Sequence, residues 1–255
     1  MIDSHCHLEQ EVYDKDRDEV VERARANGLK AIVFSSSSPR HLEKAIKIVE
    51  RYKGYVFATL GFHPELIGDF PLQVIEEYLN SIAKHGDSIV GIGETGLDYY
   101  WVKDEKLRRL QKDLLIKHLE LAKRLDLPVV IHSRDATEDT FDILESFGYK
   151  RIHWHMFGFH DQLKRAIDNG WYISVNAILF RSKRYRKIAR DAPIDRLMVE
   201  TDAPWLLVIR EGRNEPSTIV DIARMIASIR KTDFEEIWLQ LGLNAKKFYN
   251  LPVEL

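Results

Sequence analysis

Cysteine is nearly absent from this chain: Cys6 is the single one among 255 residues. No intrachain disulfide can form, and secreted chains usually carry cysteines in pairs, so a reducing compartment is expected. Long apolar runs are missing too; none approaches the ~18 residues of a membrane span. The first residues show His-x-His rather than a basic stretch followed by an apolar one, so no secretory signal is visible. Neither charge sign is in surplus. Lys and Arg number 38 against 40 Asp and Glu, the net charge is −2 and the pI is near 6.6. That removes a global basic field for nucleic acid but leaves room for a local basic patch. No Gly-x-Gly-x-x-Gly follows the first strand-like run, so the dinucleotide fingerprint is lacking. Low-complexity linkers, short repeats and composition breaks are also lacking. The expectation is a soluble, cytoplasmic, single-domain protein, with no membrane association and no obligate protein partner.

What is present is alternation. Short apolar runs suited to buried parallel strands lie at 1–7, 30–35, 55–60, 88–93, 127–131, 150–155, 171–175 and 196–199. Helical stretches separate them: 16–27, stopped by Gly28; 39–52, opened by Pro39; 71–84; a long one ending near Leu125; 137–147; 160–169, stopped by Gly170; and 182–190. Two more, 217–230 and 234–249, finish the chain. Residues 95–103 read as a polar and aromatic loop. Eight strands separated by helices predict an α/β fold, a (β/α)8 TIM-type barrel, which typically takes about 250 residues.

Six residues with metal-ligating side chains fall at the C-terminal ends of five of these strands: His5, His7, Glu94, His132, His155 and Asp202. In a barrel those ends converge on one mouth. His5 and His7, two apart on a strand, face the same way. Each residue alone has an ordinary reading: a hydrogen-bonded histidine, a carboxylate at a helix start, an N-cap before Ala203-Pro204. Together they suit divalent cations, with imidazole nitrogens as neutral donors and carboxylates as anionic ones. Glu94, on a middle strand, is placed to bridge two ions. Asp202 can bind an ion, accept a proton from water, or both. His153 shares a strand face with His155, and periodicity does not separate them, although His155 lies closer to the strand end. His160 reads as a helix opener, and His41, His85 and His118 read as surface residues.

At these positions the sequence resembles the TatD family of metal-dependent deoxyribonucleases, within the amidohydrolase-like barrels. The matching stretches are Asp3-Ser-His-Cys-His7, Gly61-Phe-His-Pro64, Gly93-Glu-Thr-Gly-Leu-Asp98, His132-Ser-Arg-Asp-Ala136, His155-Met-Phe157, Glu200-Thr-Asp-Ala-Pro204, Arg213-Asn-Glu-Pro216 and Asn244-Ala-Lys-Lys247. The resemblance implies two divalent ions (zinc, manganese, magnesium or nickel). The first would be held by His5, His7, Glu94 and Asp202, the second by Glu94, His132 and His155, which selects His155 over His153. It implies catalytic roles for Glu94, Asp202 and His63, phosphate contact by His63, and substrate contact by Arg134. The implied activity is hydrolysis of DNA, single-stranded or with a free 3′ end, often from that end. Two positions depart from the family: Phe157-Gly158-Phe159 replaces an aromatic followed by Ser or Thr and Gly, and Glu9 stands where Asp is common.

Other substrate signals are two-sided. Arg181, Lys183, Arg184, Arg186, Lys187 and Arg190 form a phosphate track or a solvated helix face. Tyr99, Tyr100, Trp101 and Trp205 stack on bases or wedge helices against the barrel. The same metal site could instead hydrolyse a carboxylic ester or amide, such as an aminoacyl-tRNA ester. A non-catalytic nucleic-acid binding module is the third reading.

Overall fold

The computed structural model describes residues 1–207 and 212–255. Eight parallel strands pair in sequence order: β1 Ile2–Cys6, β2 Ala31–Ser36, β3 Val56–Leu60, β4 Gly91–Asp98, β5 Val129–Arg134, β6 Ile152–Trp154, β7 Tyr172–Val175 and β8 Leu197–Val199. β8 returns to β1 through scattered hydrogen bonds rather than a regular ladder. Ser4 Oγ donates to the Val199 carbonyl at 2.8 Å, and the Asp202 N–H donates to the His5 carbonyl at 3.0 Å. The ring is thereby nearly closed, as the expected (β/α)8 barrel.

Helices α1 Arg17–Ala26, α2 Leu42–Arg51, α3 Leu72–Lys84, α4 Glu105–Leu125, α5 Thr137–Phe147, α6 Leu163–Asp168, α7 Lys183–Asp191, α8 Ile219–Arg230 and α9 Phe234–Tyr249 form the outer layer. The strands are largely buried on both faces because each is covered by helices outside and by barrel filling inside. The interior is layered. Its floor is apolar: Ile2, Ala31, Val33, Val130 and Met198 pack against Phe248 and Tyr249, so the end of α9 plugs the barrel from below. Polar side chains fill the upper layers. Among the described residues no helix is long and apolar enough to cross a membrane.

Two expectations are corrected. β4 does not stop at residue 93. It continues to Asp98, where Thr95, Gly96, Leu97 and Asp98 pair with Ile131 to Arg134 of a likewise longer β5. An apolar-run reading ends where side chains turn polar, whereas the ladder is a backbone property and continues. A side chain at Gly96, where φ is +148°, would collide with the His132 carbonyl, so β4 lies directly against the strand carrying His132. Glu94 therefore sits inside its strand, at the register irregularity between Ile92 and Thr95.

His118 is not a surface residue but fully buried. α4 buries Gln111, Leu114, Leu115, His118, Leu119 and Ala122, one helical stripe. His118 Nδ1–H donates to the Leu114 carbonyl at 2.7 Å, and Nε2 accepts the Phe62 N–H at 3.0 Å. Gln111 accepts from the Asp98 N–H at 3.1 Å and donates to the Pro64 carbonyl at 2.9 Å. The two polar members of the stripe thus fix the turn bearing His63 and the end of β4. His41, partly exposed, borders the barrel mouth with Nε2 3.3 Å from Glu11.

Candidate metal centre

The centre is organised by Glu94, whose two carboxylate oxygens face different partners. Oε2 lies 3.6 Å from His5 Nε2 and 3.6 Å from His7 Nε2. Oε1 lies 2.9 Å from His132 Nδ1, 2.8 Å from His155 Nε2 and 3.5 Å from His63 Nε2. Asp202 joins the first group, with Oδ1 3.6 Å from His5 Nε2 and 3.3 Å from His7 Nε2. Three donor triads, each within 4.8 Å, result: His5 with His7 and Glu94; His5 with His155 and Asp202; His63 with Glu94 and His132. Asp202 adopts a left-handed backbone, φ 53°, a conformation aspartate takes more readily than most side chains, and its N–H is held by the His5 carbonyl.

Each imidazole is oriented by its far nitrogen, the usual way to aim the near one. Ser35 on β2 serves two of them. His7 Nδ1–H donates to its carbonyl at 3.0 Å, and His5 Nδ1 meets its hydroxyl at 3.1 Å. Asp98 Oδ2 accepts from His132 Nε2–H at 3.0 Å. His155 Nδ1 faces Glu200 Oε1 at 3.6 Å, and Glu200 is itself pinned by the Met156 N–H and the Asn176 amide. His63 Nδ1 accepts the Glu65 N–H at 3.2 Å, leaving Nε2 toward Glu94. Ser35, Asp98 and Glu200 received no role from sequence reasoning. Asp98 and Glu200 lie inside segments singled out there; Ser35 carries no sequence signal beyond its place at a strand end.

Burial alone would raise the Glu94 carboxyl, yet His155, His63 and His132 hold it well below the usual carboxylate range. Burial likewise opposes ionisation of Asp202, but His5 and His7 keep its carboxyl low. Burial would discharge His7, and Asp202, Glu9 and Glu94 instead raise it to about 9. For His5, burial and the neighbouring His155 win, and its imidazole titrates lower than normal. The residues fit divalent cations on a specific observation. His5 Nε2 and Glu94 Oε2 are buried and have no hydrogen-bond partner among the described residues, a condition that costs about 1–3 kcal/mol per group. Donors bonded at about 2.1 Å to one tetrahedral ion stand roughly 3.4 Å apart. The spacings of 3.3 and 3.6 Å around His5, His7, Glu94 and Asp202 match that, and exceed good hydrogen bonds.

The centre opens into a cavity of about 890 Å³ bordered by Arg40, Trp101, Arg134, Arg181, Arg184 and Trp205. The basic run therefore divides. Arg181 and Arg184 face the mouth, Arg186 holds the Leu179 and Phe180 carbonyls, and Arg190 pairs with Asp191. The aromatic group divides as well: Tyr99 wedges, donating to Asp139 at 2.6 Å beneath Arg108, whereas Trp101 stays exposed. His153 lies one layer below the donors, fully buried and hydrogen-bonded, and His160 opens a short 3-10 turn as expected.

Comparison with known proteins agrees across the whole chain. The family TatD related DNase matches residues 2–250. An uncharacterized metal-dependent hydrolase of Bacillus subtilis, YabD, is 33% identical, the match covering 98% of this chain and 99% of that protein. Human deoxyribonuclease TATDN3 is 31% identical over 98% of this chain and 94% of its own. The crystal structure of YJJV, a TatD homologue from Escherichia coli, superposes with a TM-score of 0.90 at 27% identity, covering 99% of this chain and 98% of that one. Family match, full-length relatives and shared barrel agree: the chain belongs to the TatD related DNase family.

Proposed function

We propose that the chain is a metal-dependent hydrolase of DNA phosphodiester bonds that works from a free 3′ end with two divalent ions. The observation that carries this is the division of Glu94: one oxygen toward His5 and His7, the other toward His132 and His155. In this reading His5, His7, Asp202 and Glu94 hold one ion, and Glu94, His132 and His155 hold the second. Ions held there supply Lewis acidity, lowering the pKa of water and drawing electron density from a phosphoryl oxygen.

The chain's own groups do the rest. Asp202 is kept ionised and presents Oδ1 to the two histidines. Its other oxygen is the acceptor for the proton lost by the attacking water. His63, with Nδ1 fixed by Glu65, points Nε2 inward to hold a non-bridging phosphate oxygen. Arg134, exposed at the mouth, contributes positive charge for the substrate's phosphates. The names of the deoxyribonuclease relatives support DNA as the polymer.

The test is digestion of single-stranded and duplex DNA bearing a 3′ end, across zinc, manganese, magnesium and nickel, with products read for length and end chemistry. Stepwise shortening from the 3′ end, abolished by chelator and restored by a divalent ion, is expected. Intact DNA under every ion, or cleavage indifferent to chelator, contradicts the reading. Turnover of an aminoacyl-tRNA ester with DNA left intact replaces it by the carboxylic-ester alternative.

A further inference from the structure

Trp101 is 56% exposed and its neighbour Tyr100 43%. Large aromatic rings gain from burial, so adjacent rings left in water beside a polar centre mark a binding surface. They do not sit on a loose loop. The N–H groups of Tyr100 and Trp101 donate to Asp98 Oδ1 at 2.9 and 2.8 Å, and Lys103 Nζ donates to the Tyr99 carbonyl at 2.9 Å. The two rings meet edge to face with centroids 4.8 Å apart. The Arg134 guanidinium lies 3.8 Å from the Tyr100 ring centre and 5.6 Å from that of Trp101. Arg134 makes no side-chain ion pair or hydrogen bond among the described residues, so its charge is open to an anion.

The same Asp98 that fixes this turn accepts from His132 with its other oxygen. One carboxylate therefore sets both the indole and a histidine of the proposed ion site, and the distance between platform and hydrolysed bond is built in rather than adaptable. A ring face accepts any base, but only one free of its partner strand; an arginine beside it suits the adjoining phosphate. We propose that Trp101, backed by Tyr100 and Arg134 and tied through Asp98 to His132, is the stacking platform for one unpaired nucleobase next to the bond that is cut. This rests on the phosphodiesterase reading and adds to it where the base goes and which residue selects for its presence.

The test compares two fluorescein-labelled single-stranded hexadeoxynucleotides, phosphorothioate-linked to slow hydrolysis. One carries all its bases; the other is abasic at its three 3′-terminal positions. Binding to the metal-loaded protein is read by anisotropy and by quenching of indole emission. The wild type is expected to prefer the base-bearing strand about 10- to 100-fold. Trp101→Ala brings that ratio close to one, Trp101→Phe keeps most of it, and both melt with the wild type because the ring is exposed. A ratio near one in the wild type, no binding of either strand, or an unchanged ratio in Trp101→Ala overturns the platform. If the ratio behaves as expected while the metal-loaded protein leaves ordinary phosphodiester DNA intact, the platform stands and the hydrolytic reading falls.

Discussion

His153 and His155 come from the same stretch of chain, two residues apart, and both are buried, yet their surroundings differ in kind. The layer around His153 closes into a hydrogen-bonded chain. Nδ1 lies 2.7 Å from the Tyr249 hydroxyl, which also donates to the Ser4 carbonyl at 3.2 Å; Nε2 lies 2.7 Å from Ser174 Oγ; and the Ser174 O–H donates to Glu200. Burial, with His5 and His155 nearby, holds His153 neutral well below the ordinary imidazole range. One layer up, burial would do the same to His155, but Glu94 and Glu200 reverse it and raise its pKa well above normal. Beside His155, His5 Nε2 and Glu94 Oε2 face each other at 3.6 Å and make no hydrogen bond. Complete hydrogen bonding marks a structural layer; buried donors aimed at one another without it mark a layer built for an added cation.

If that contrast is right, the layers respond oppositely to mutation. The largest effect is expected in the upper one: Glu94→Gln lowers kcat/KM for DNA on the order of 10³-fold without lowering the melting temperature. Hydrolysis and thermal melts check this, and a variant within tenfold of wild type removes the distinction. His118 extends the structural class and gives it a pH signature. Burial lowers its pKa from 6.5 to about 4. The unfolded chain therefore binds this proton first as pH falls. The stability is complete above 6.5 and is lost on the way down to about 4, by about 3 kcal/mol. His118→Gln, which can still accept from Phe62, flattens that part of the profile, measured as urea midpoints from about pH 7 to pH 4; an unchanged profile refutes it. Asp98→Asn, by loosening His132, reduces divalent-ion affinity about 10- to 100-fold in calorimetry. An unaltered affinity would show that Asp98 does not orient its neighbour. The smallest effect falls in the lower layer: His153→Gln costs about 1–3 kcal/mol of stability and keeps hydrolysis per folded molecule, whereas His155→Gln does the reverse. Parallel melts and rate assays of the pair decide it.

The barrel was legible because strands buried on both faces read as apolar runs with glycine and proline between them. His5 and His7 were legible as a pair from their spacing, although β1 ends at Cys6 and its pairing with β2 shifts between Asp3 and Cys6. The reach of β4 to Asp98 was not, since its last residues mix polar and apolar side chains while the backbone ladder continues. Nor were Ser35, Glu200 and Gln111, whose roles depend on contacts between distant segments, such as Glu200 with Met156, 44 residues away. His118 was within reach: it lies in phase with Leu114, Leu115 and Ala122 on α4, and helical periodicity places it inside. The basic run after strand seven shows the limit of composition, since only the fold separates Arg181 and Arg184 at the mouth from Arg186 and Arg190 in structural contacts.

The central claim is that Glu94 divides its oxygens between two cation sites. Equilibrium titration of the metal-stripped protein with zinc or manganese tests it most directly. About two ions per wild-type chain, with both affinities weakened in Glu94→Gln and neither in His153→Gln, is the predicted result. A wild type that binds none or only one, or a Glu94→Gln variant that binds two as tightly as before, would contradict it.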